Sequence, residues 1–421
     1  KVEMGNPRKP VMDAKGGGLG LELFLHCKDV RIVKFMLIAR TGRPGSQGKD
    51  DPTPASTRLT VDEIDKGAKA VSVYAFAPNI KHVFAFSHRP ADSEQAESSD
   101  TASPDSSPLD PMQEWLRMGI TRGNTLVSGN AEAMEKTEDD GVSNQWRISS
   151  CNAKYDLCKS YPKNLVVPMS MSDLELKQVA AFRSGQRLMA LSWRDKRTNV
   201  TIWRSSQPKA GISGSNIRDE KYLDLIAKSV NFYRASILHI IDCRPKTAAL
   251  ANRAGGAGYE SKSNYPSSRL EFYNIGNIHT MRDSFTKMSN LHVTGISSDA
   301  RCADWGRLVE ETGWPGHVRM VIKAAIDCAK QVSHGIPVLV HCSHGWDRTS
   351  QVCALAGLLL DPYYRTFRGF QVLIEKEWCA FGHPFQLRCA HGEDKSRRND
   401  EQMSPIFVQF LECCYHFCSQ Y

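Results

Sequence analysis

The sequence lacks several features that mark common classes of protein. No apolar run approaches the roughly 20 residues that a membrane-spanning helix needs, and the first residues, KVEMGNPRKPVMDAKGGG, contain no apolar core of a signal peptide. The 13 cysteines are odd in number and none forms a C-x-x-C pair, unlike the even, dense framework of a secreted disulfide-rich protein. We therefore expect a reducing compartment, with most cysteines buried as small apolar residues.

A strong charge of either sign is also missing. The chain has 54 basic and 46 acidic residues, a formal net charge of +8, and no tract of Lys and Arg interleaved with aromatic residues. Nucleic acid is therefore not expected as a partner, whereas a modest positive charge suits anionic membrane surfaces or phosphorylated substrates. His383 and His391 lack the spacing of a zinc site, so neither a metal nor another cofactor is predicted.

The length of 421 residues predicts two domains, because single cores rarely grow beyond about 250–300 residues. Residues 1–87 form the first, with two strands within 19–38, a turn at 28–29 and a helix that begins at the capping-box pattern TVDE, Thr60–Glu63. Residues 88–111 are acidic, rich in Ser and Pro and poor in large apolar groups. They cannot bury enough surface to offset the entropy of ordering, which predicts a disordered linker.

Residues 112–421 read as a larger α/β domain. Short apolar runs predict strands at Leu188–Trp193, Val200–Trp203, Ile237–Asp242, Leu270–Ile275 and Val338–His341. Apolar residues recur at helical spacing within 318–332, 352–359 and 407–418. Apolar strands that alternate with helices indicate a sheet covered on both faces.

The stretch VLVHCSHGWDRTS, Val338–Ser350, carries the clearest chemical signal. A strand, a seven-residue loop and a helix follow one another, and backbone N–H groups at such a turn form an anion site with the helix dipole. Cys342 would lie at its base as a thiolate nucleophile of lowered pKa. Arg348 offers a planar guanidinium for two phosphate oxygens, and Gly345 lets the backbone approach closely. The alternative is a buried cysteine and an unrelated arginine, since C-x5-R alone is common.

Transfer of a phosphoryl group also needs an acid for the leaving oxygen. Asp347 lies in the loop beside the arginine, and Asp283, in HTMRDS, is a second candidate. Thr349 or Ser350 could donate a hydrogen bond to the thiolate.

Several segments together resemble the myotubularins, lipid phosphatases of the cysteine-dependent superfamily whose loop reads HCSDGWDRT. The matching segments are LHCKDVRIV, WRISSCNAKYDLCKSYP, FRSGQR, RSSQP, ANRAGGAGYES, GNIHTMRDS, DPYYRTFRGFQVLIEKEW, FGHPF and HGE. Together they cover nearly the whole chain except 40–58 and 88–111. Residues 146–162 and the DPYYRT segment resemble most the branch that carries a C-terminal FYVE finger.

The resemblance implies an α/β cysteine-dependent phosphatase domain at 112–421, with a central mixed sheet flanked by helices and a truncated C-terminus. A partial PH-GRAM α+β module would precede it at 1–87. The implied reaction removes the 3-phosphate of phosphatidylinositol 3-phosphate and phosphatidylinositol 3,5-bisphosphate through a cysteinyl-phosphate. The implied location is the cytoplasm, with the protein peripheral on endosomal membranes. Expected partners are phosphoinositide headgroups and homo- or hetero-oligomers with other myotubularins, with no cofactor.

The resemblance also implies roles for individual residues: Cys342 as nucleophile, Asp347 as general acid and Arg348 as phosphate clamp. The implied substrate contacts are Ser343, His344, Gly345, Trp346, Asn252, Asn277, Ile278, Arg365 and Arg368. The last two arginines would meet a second phosphate. The alternatives are that Asn252 caps a turn and that both arginines are solvated on a helix surface.

His344 departs from the family pattern, which has Asp at this position. Histidine supplies no second carboxylate, but it offers a donor and gains positive charge below about pH 6.5. We expect an active or slowed phosphatase. One alternative is an impaired phosphoinositide-binding adaptor, and another is a protein-tyrosine or dual-specificity phosphatase.

Overall fold

A computed structural model describes the chain in several stretches that fall into two compact units, 1–104 and 105–421. The described residues are 2–4, 10–11, 18–26 and 32–39, of which only the backbone is described, and 111–120, 145–230, 237–295, 304–389 and 400–420. The predicted helix after Thr60 and the predicted linker up to 110 lie outside these residues. No described helix is long and apolar enough to cross a membrane.

The first unit contains an antiparallel sheet. Its four described strands are β1 (Val2–Met4), β2 (Pro10–Val11), β3 (Gly18–His26) and β4 (Ile32–Ala39). Strand β3 pairs with each of the others, and its register with β4 runs from Leu19 opposite Ala39 to His26 opposite Ile32. The two strands predicted within 19–38 are therefore confirmed as an antiparallel pair.

The second unit is built on a mixed five-stranded sheet. The strands of this sheet are β7 (Ala190–Arg194), β8 (Thr201–Ser206), β9 (Leu238–Asp242), β10 (Ser268–Phe272) and β11 (Val338–Cys342). Two further strands of the unit, β5 (Trp146–Ser149) and β6 (Leu165–Pro168), pair with each other in a separate antiparallel sheet. The sheet order is β10-β9-β11-β8-β7, parallel except for β7. All five sheet strands were predicted from apolar runs, with ends that differ by up to three residues.

Helices fill most of the remaining described chain. They are α1 (Pro111–Arg117), α2 (Asp173–Phe182), α3 (Ile217–Ala227), α4 (Lys246–Ala254), α5 (Ile278–Gly295), α6 (Trp305–Glu311), α7 (Trp314–Ser333), α8 (Arg348–Leu360), α9 (Phe367–Ile374), α10 (Phe385–Cys389) and α11 (Ile406–Gln420). Two crossovers run in opposite directions across the sheet, β8-α3-β9 and the path from β10 through α7 to β11. Right-handed crossovers therefore place α3 and α7 on opposite faces.

This layering explains the apolar character of the central elements. Every residue of β11 is buried, as expected for a parallel strand with helices on both faces. In α8, all residues from Arg348 to Leu358 are buried, polar ones included, so this helix lies inside the domain. The carboxyl ends of β8, β9 and β11 meet at one sheet edge, where ligands bind in open α/β sheets.

Candidate active site

The loop between β11 and α8 forms the centre of the site. Cys342 ends the strand, is 2% exposed, and receives a hydrogen bond at its sulfur from the backbone N–H of Gly345 at 3.2 Å. Asp347 is the N-cap residue of α8, and its side chain makes no capping bond to the helix. The first N–H groups of the helix thus remain available to an anion in the loop.

The surroundings of Cys342 favour the thiolate. Burial alone raises the pKa of a thiol, but the charge of Arg348 and hydrogen bonds from the hydroxyl and backbone N–H of Thr349 bring the pKa of Cys342 below its usual value. The buried Thr349 hydroxyl makes no hydrogen bond of regular geometry in the described part of the chain, so it is free to turn towards the sulfur. Of the two predicted hydroxyl donors, the contacts therefore favour Thr349. The hydroxyl of Ser350 instead donates to the carbonyl of Trp346 at 3.1 Å.

Gly345 occupies a position that no other residue fits. Its φ is +74°, and a Cβ there would overlap the backbone carbonyl oxygen of Ser205. Its own carbonyl accepts hydrogen bonds from the guanidinium groups of Arg187 and Arg204, each at 2.9 Å. Both arginines are fully buried. They anchor Gly345, the residue whose N–H donates to the nucleophile, from the buried side of the loop.

Arg348 is held against the same loop. One terminal nitrogen donates to the carbonyl of Ile275 at 3.1 Å, and the other lies 3.4 Å from the hydroxyl of Ser343. The guanidinium is thereby fixed beside the sulfur whose thiolate it stabilises, as a clamp for equatorial phosphate oxygens requires.

Asp347 is already paired in this structure. Arg388 donates to its two carboxylate oxygens at 3.0 and 2.9 Å, and Nδ1 of His383 lies 3.2 Å away. Burial works against ionisation, but these hydrogen bonds and charges hold the pKa of the carboxyl well below its usual range. Asp347 is therefore ionised in this structure, a state in which it has no proton to donate.

A layer of buried ions lies beneath the loop. Arg183 donates to both carboxylate oxygens of Asp219 at 2.7 and 2.5 Å and to Glu260 at 2.6 Å. Glu260 also lies 3.0 Å from Nε2 of His341, the residue before the nucleophile. Burial lowers the pKa of His341, but the carboxylate of Glu260 outweighs it and leaves that pKa raised. The position of His341, next to the nucleophile, is thus stabilised by its ion pair with Glu260.

Of the predicted headgroup residues, Asn252 lies close to the loop. Its side-chain amide donates to Oε1 of Gln207 at 3.1 Å, and the backbone N–H of Gln207 donates to the carbonyl of Ser343 at 3.3 Å. The alternative that Asn252 caps a turn is not what the side chain does here. Asn277 accepts hydrogen bonds from the N–H and hydroxyl of Thr280, at 3.0 and 3.1 Å, and so caps the first turn of α5.

Ile278 begins α5 and is half-buried, and it follows by three residues Ile275, whose carbonyl accepts a hydrogen bond from Arg348. Its carbonyl accepts a hydrogen bond from Ser404 at 2.8 Å. Asp283, the second candidate acid, is exposed on α5, and its carboxylate lies 3.5 Å from the guanidinium of Arg282. Nothing in these contacts connects Asp283 to the nucleophile.

Arg365 and Arg368 lie away from the loop. The Arg365 guanidinium contacts the carbonyls of Leu358 and Leu359, at 3.3 and 3.4 Å, at the end of α8 opposite to Cys342. An α-helix of this length separates its ends by about 18 Å. Both arginines are exposed, as is Phe367 between them at 96%. The structure does not bring this pair to the phosphate cradle.

His344 and Trp346 form the outer wall of the loop. Their rings stack with centroids 4.8 Å apart and 13° between planes, and His344 is exposed. Partial burial lowers the pKa of His344, the charge of Asp347 opposes this, and three nearby arginines leave the pKa below its usual value. Near neutral pH the imidazole is therefore uncharged, a hydrogen-bonding group rather than a cation.

Sequence reasoning missed the residues that hold the loop from behind. They are Arg187, Arg204, Gln207, His383 and Arg388. Four of these five lie in segments that carried the family resemblance, FRSGQR, RSSQP with its preceding strand, and FGHPF. The arginine that directly follows the apolar residues Ile202 and Trp203 in β8 was the available signal, because a charge in a buried strand needs partners.

Together, the mixed sheet and the strand–loop–helix cradle with its thiolate and arginine define a cysteine-dependent phosphatase domain. Comparison with known proteins identifies its family. Residues 83–421 match the family described as a myotubularin-like phosphatase domain. The chain belongs to the myotubularin family.

Individual relatives match over different shares of the chain. Myotubularin of Xenopus tropicalis is 44% identical over 293 residues, which are 69% of this chain and 47% of that protein. Phosphatidylinositol-3,5-bisphosphate 3-phosphatase MTMR6 of Mus musculus is 37% identical over 403 residues, 96% of this chain and 56% of that protein. Phosphatidylinositol-3,5-bisphosphate 3-phosphatase MTMR2 of Bos taurus is 43% identical over 293 residues, 69% and 44% respectively. The chain spans about half the length of these relatives.

Proposed function

We propose that this protein is a phosphoinositide 3-phosphatase that hydrolyses phosphatidylinositol 3-phosphate and phosphatidylinositol 3,5-bisphosphate. The observation that carries the proposal is the Cys342 thiolate, held in a cradle of N–H groups beside Arg348. The relatives named as 3-phosphatases of phosphatidylinositol 3,5-bisphosphate support the choice of lipid.

The reaction has two halves. The sulfur of Cys342 attacks phosphorus, the bond from phosphorus to the inositol oxygen breaks, and that oxygen takes up a proton from water. Water then attacks the cysteinyl-phosphate, gives up a proton, and the phosphorus–sulfur bond breaks to release phosphate and the thiolate. Arg348 and the loop N–H groups stabilise the charge on the phosphoryl oxygens in both halves.

The pairing of Asp347 favours a role in the second half. A carboxylate held by Arg388 can accept the proton of the attacking water. The acid role predicted for Asp347 in the first half needs a protonated carboxyl group, which the same pairing disfavours.

The setting of the reaction belongs to the same proposal. We assign residues 1–87 to a partial PH-GRAM module that orients the enzyme, an assignment that the antiparallel strands β3 and β4 support without distinguishing it from other sheets. We further propose action from the cytoplasm on endosomal membranes, and oligomers with itself or other myotubularins.

The test is phosphate release from short-chain phosphatidylinositol 3-phosphate and the 3,5-bisphosphate by the unaltered chain, Cys342→Ser and His344→Asp. We expect release that disappears in Cys342→Ser and rises in His344→Asp, because Asp restores the second carboxylate of the family loop. A tyrosine-phosphorylated peptide serves as the comparison substrate.

Other outcomes would replace the proposal. Recovery of release only in His344→Asp would identify a phosphoinositide-binding adaptor, which the departure at His344 favours as the second candidate. Faster release from the phosphopeptide would identify a protein phosphatase. No release from any of the three proteins, each shown to be folded by circular dichroism, would refute the catalytic function.

A further inference from the structure

A second cysteine lies beside the nucleophile on the neighbouring strand. Strands β9 and β11 are parallel, with Asp242 opposite His341, and the backbone N–H of Cys243 donates to the carbonyl of His341 at 2.9 Å. The same register, continued by one residue, places Cys243 opposite Cys342. Cys243 is fully buried and has no part in the proposed reaction.

The geometry of this pair matches what a disulfide requires. Adjacent strands lie about 4.8 Å apart, and residues opposite one another in a parallel pair direct their side chains to the same face. Disulfides join Cα atoms about 4.4–6.8 Å apart. The two sulfur atoms can therefore be joined by side-chain rotation, without separation of the strands.

The two thiols also differ in pKa, and therefore in their reactivity towards an oxidant. Arg348 and Thr349 favour the thiolate of Cys342, whereas burial, and then the negative charge of Cys342 itself, raise the pKa of Cys243 well above its usual value. An oxidant thus meets one reactive thiolate. Cys243 stays a protonated thiol until its neighbour has been oxidised and has lost its charge.

We propose that Cys243 is a resolving cysteine that converts oxidation of the nucleophile into a reversible disulfide. The Cys342 thiolate attacks hydrogen peroxide, whose O–O bond breaks, giving a sulfenic acid at Cys342 and hydroxide. The sulfur of Cys243 then bonds to that of Cys342, the S–O bond breaks, and the Cys243 proton leaves with the oxygen as water. The Cys342 sulfur is oxidised and the peroxide is reduced.

The disulfide would switch the enzyme off and protect it. A bonded sulfur cannot attack phosphorus, and it cannot proceed to the irreversible sulfinic acid. A dithiol reductant restores both thiols by exchange. The inference rests on the proposed function only through the reactivity of Cys342.

The experiment treats the full chain with hydrogen peroxide, blocks free thiols by alkylation, and maps disulfides by mass spectrometry of the peptides. We expect a peptide pair that joins Cys243 to Cys342, two hydrogens lighter than the separate thiols and absent after dithiothreitol. Release of phosphate from short-chain phosphatidylinositol 3-phosphate should fall on oxidation and return with dithiothreitol. Cys243→Ala should regain at most about a tenth of what the unaltered chain regains, because its Cys342 goes on to the sulfinic acid.

Cys328→Ala is the matched control, because Cys328 is equally buried but lies on α7. It should form the same disulfide and recover like the unaltered chain. Equal recovery in Cys243→Ala, a link from Cys342 to Cys353 instead, or sulfinic acid at Cys342 without any link would each overturn the inference. If the Cys243–Cys342 disulfide forms in a chain that never releases phosphate, the proposed function fails and the redox inference stands.

Discussion

The two ends of α8 present arginines in opposite settings. At its N-terminal end, Arg348 is buried beside a thiolate and donates to one carbonyl, with helix N–H groups available around it. At its C-terminal end, Arg365 is exposed and its guanidinium contacts the carbonyls of Leu358 and Leu359. The first end of a helix attracts anions and the second attracts cations. The same residue type therefore lies at a site suited to an anion at one end and satisfies backbone oxygens at the other.

The largest effect is expected at the buried end. Arg348→Lys should lower kcat/KM on short-chain phosphatidylinositol 3-phosphate by about a thousandfold, roughly 4 kcal/mol, since an ammonium cannot hold two phosphate oxygens in one plane. Arg365→Lys is the matched control and should change kcat/KM less than about twofold. Steady-state kinetics on both variants measure this difference. Equal losses of kcat/KM in the two variants would contradict the contrast between the ends of the helix.

The ion layer beneath the loop should dominate stability. Glu260→Gln leaves Arg183 and His341 with one less negative charge in a buried site, so we expect the free energy of unfolding to fall by about 3–5 kcal/mol. Urea denaturation measures it. Glu175→Gln, in the exposed capping box of α2, is the control and should cost less than about 1 kcal/mol, because Gln can also complete a capping box.

The same variant has a pH signature. The pKa of Glu260 is lowered in the folded protein, mainly by His341 and Arg183 against the effect of burial. Its contribution is therefore present above the unfolded pKa of about 4.3 and is lost as pH falls towards the folded value. Between about pH 5 and pH 3 the unaltered chain should lose more stability than Glu260→Gln, and parallel pH curves would contradict this.

A moderate effect is expected where Arg388 positions Asp347. Arg388→Met removes a bidentate partner, so the pKa of Asp347 should rise towards its usual range and kcat should fall about 10- to 100-fold. The acid limb of the pH profile of kcat should move to higher pH, with Arg388→Lys in between. A fall in kcat without a shift of that limb would show that Arg388 does not act through the carboxylate.

The smallest effect is expected for the exposed arginines near the C-terminal end of α8. Arg365→Ala and Arg368→Ala should each change kcat/KM less than about twofold on both lipids, since both side chains are exposed and Arg365 contacts the end of α8 opposite to Cys342. The resemblance predicted instead that these arginines meet a second phosphate. A selective loss on the 3,5-bisphosphate, measured against the monophosphate in the same assay, would restore that prediction.

The parts of the site that are neighbours in the chain could be predicted from the amino-acid sequence. Cys342, Gly345 and Arg348 follow one strand and precede one helix, and such a turn directs N–H groups inward whatever surrounds it. The sheet strands could be predicted too, because burial on both faces demands continuous apolar runs. The spacing of the loop residues and the apolar pattern of the strands are local features, and so they can be read directly from the sequence.

The distant side chains that contact that loop became known only from the folded structure. Arg187 and Arg204 join the Gly345 carbonyl from 158 and 141 residues away, and Arg388 joins Asp347 from 41 residues away. The position of Cys243 beside Cys342 depends on the pairing of β9 with β11, and that of Arg365 on the length of α8. The order of the strands and the packing of the helices determine which of these residues come into contact. Their separation along the chain does not indicate that contact.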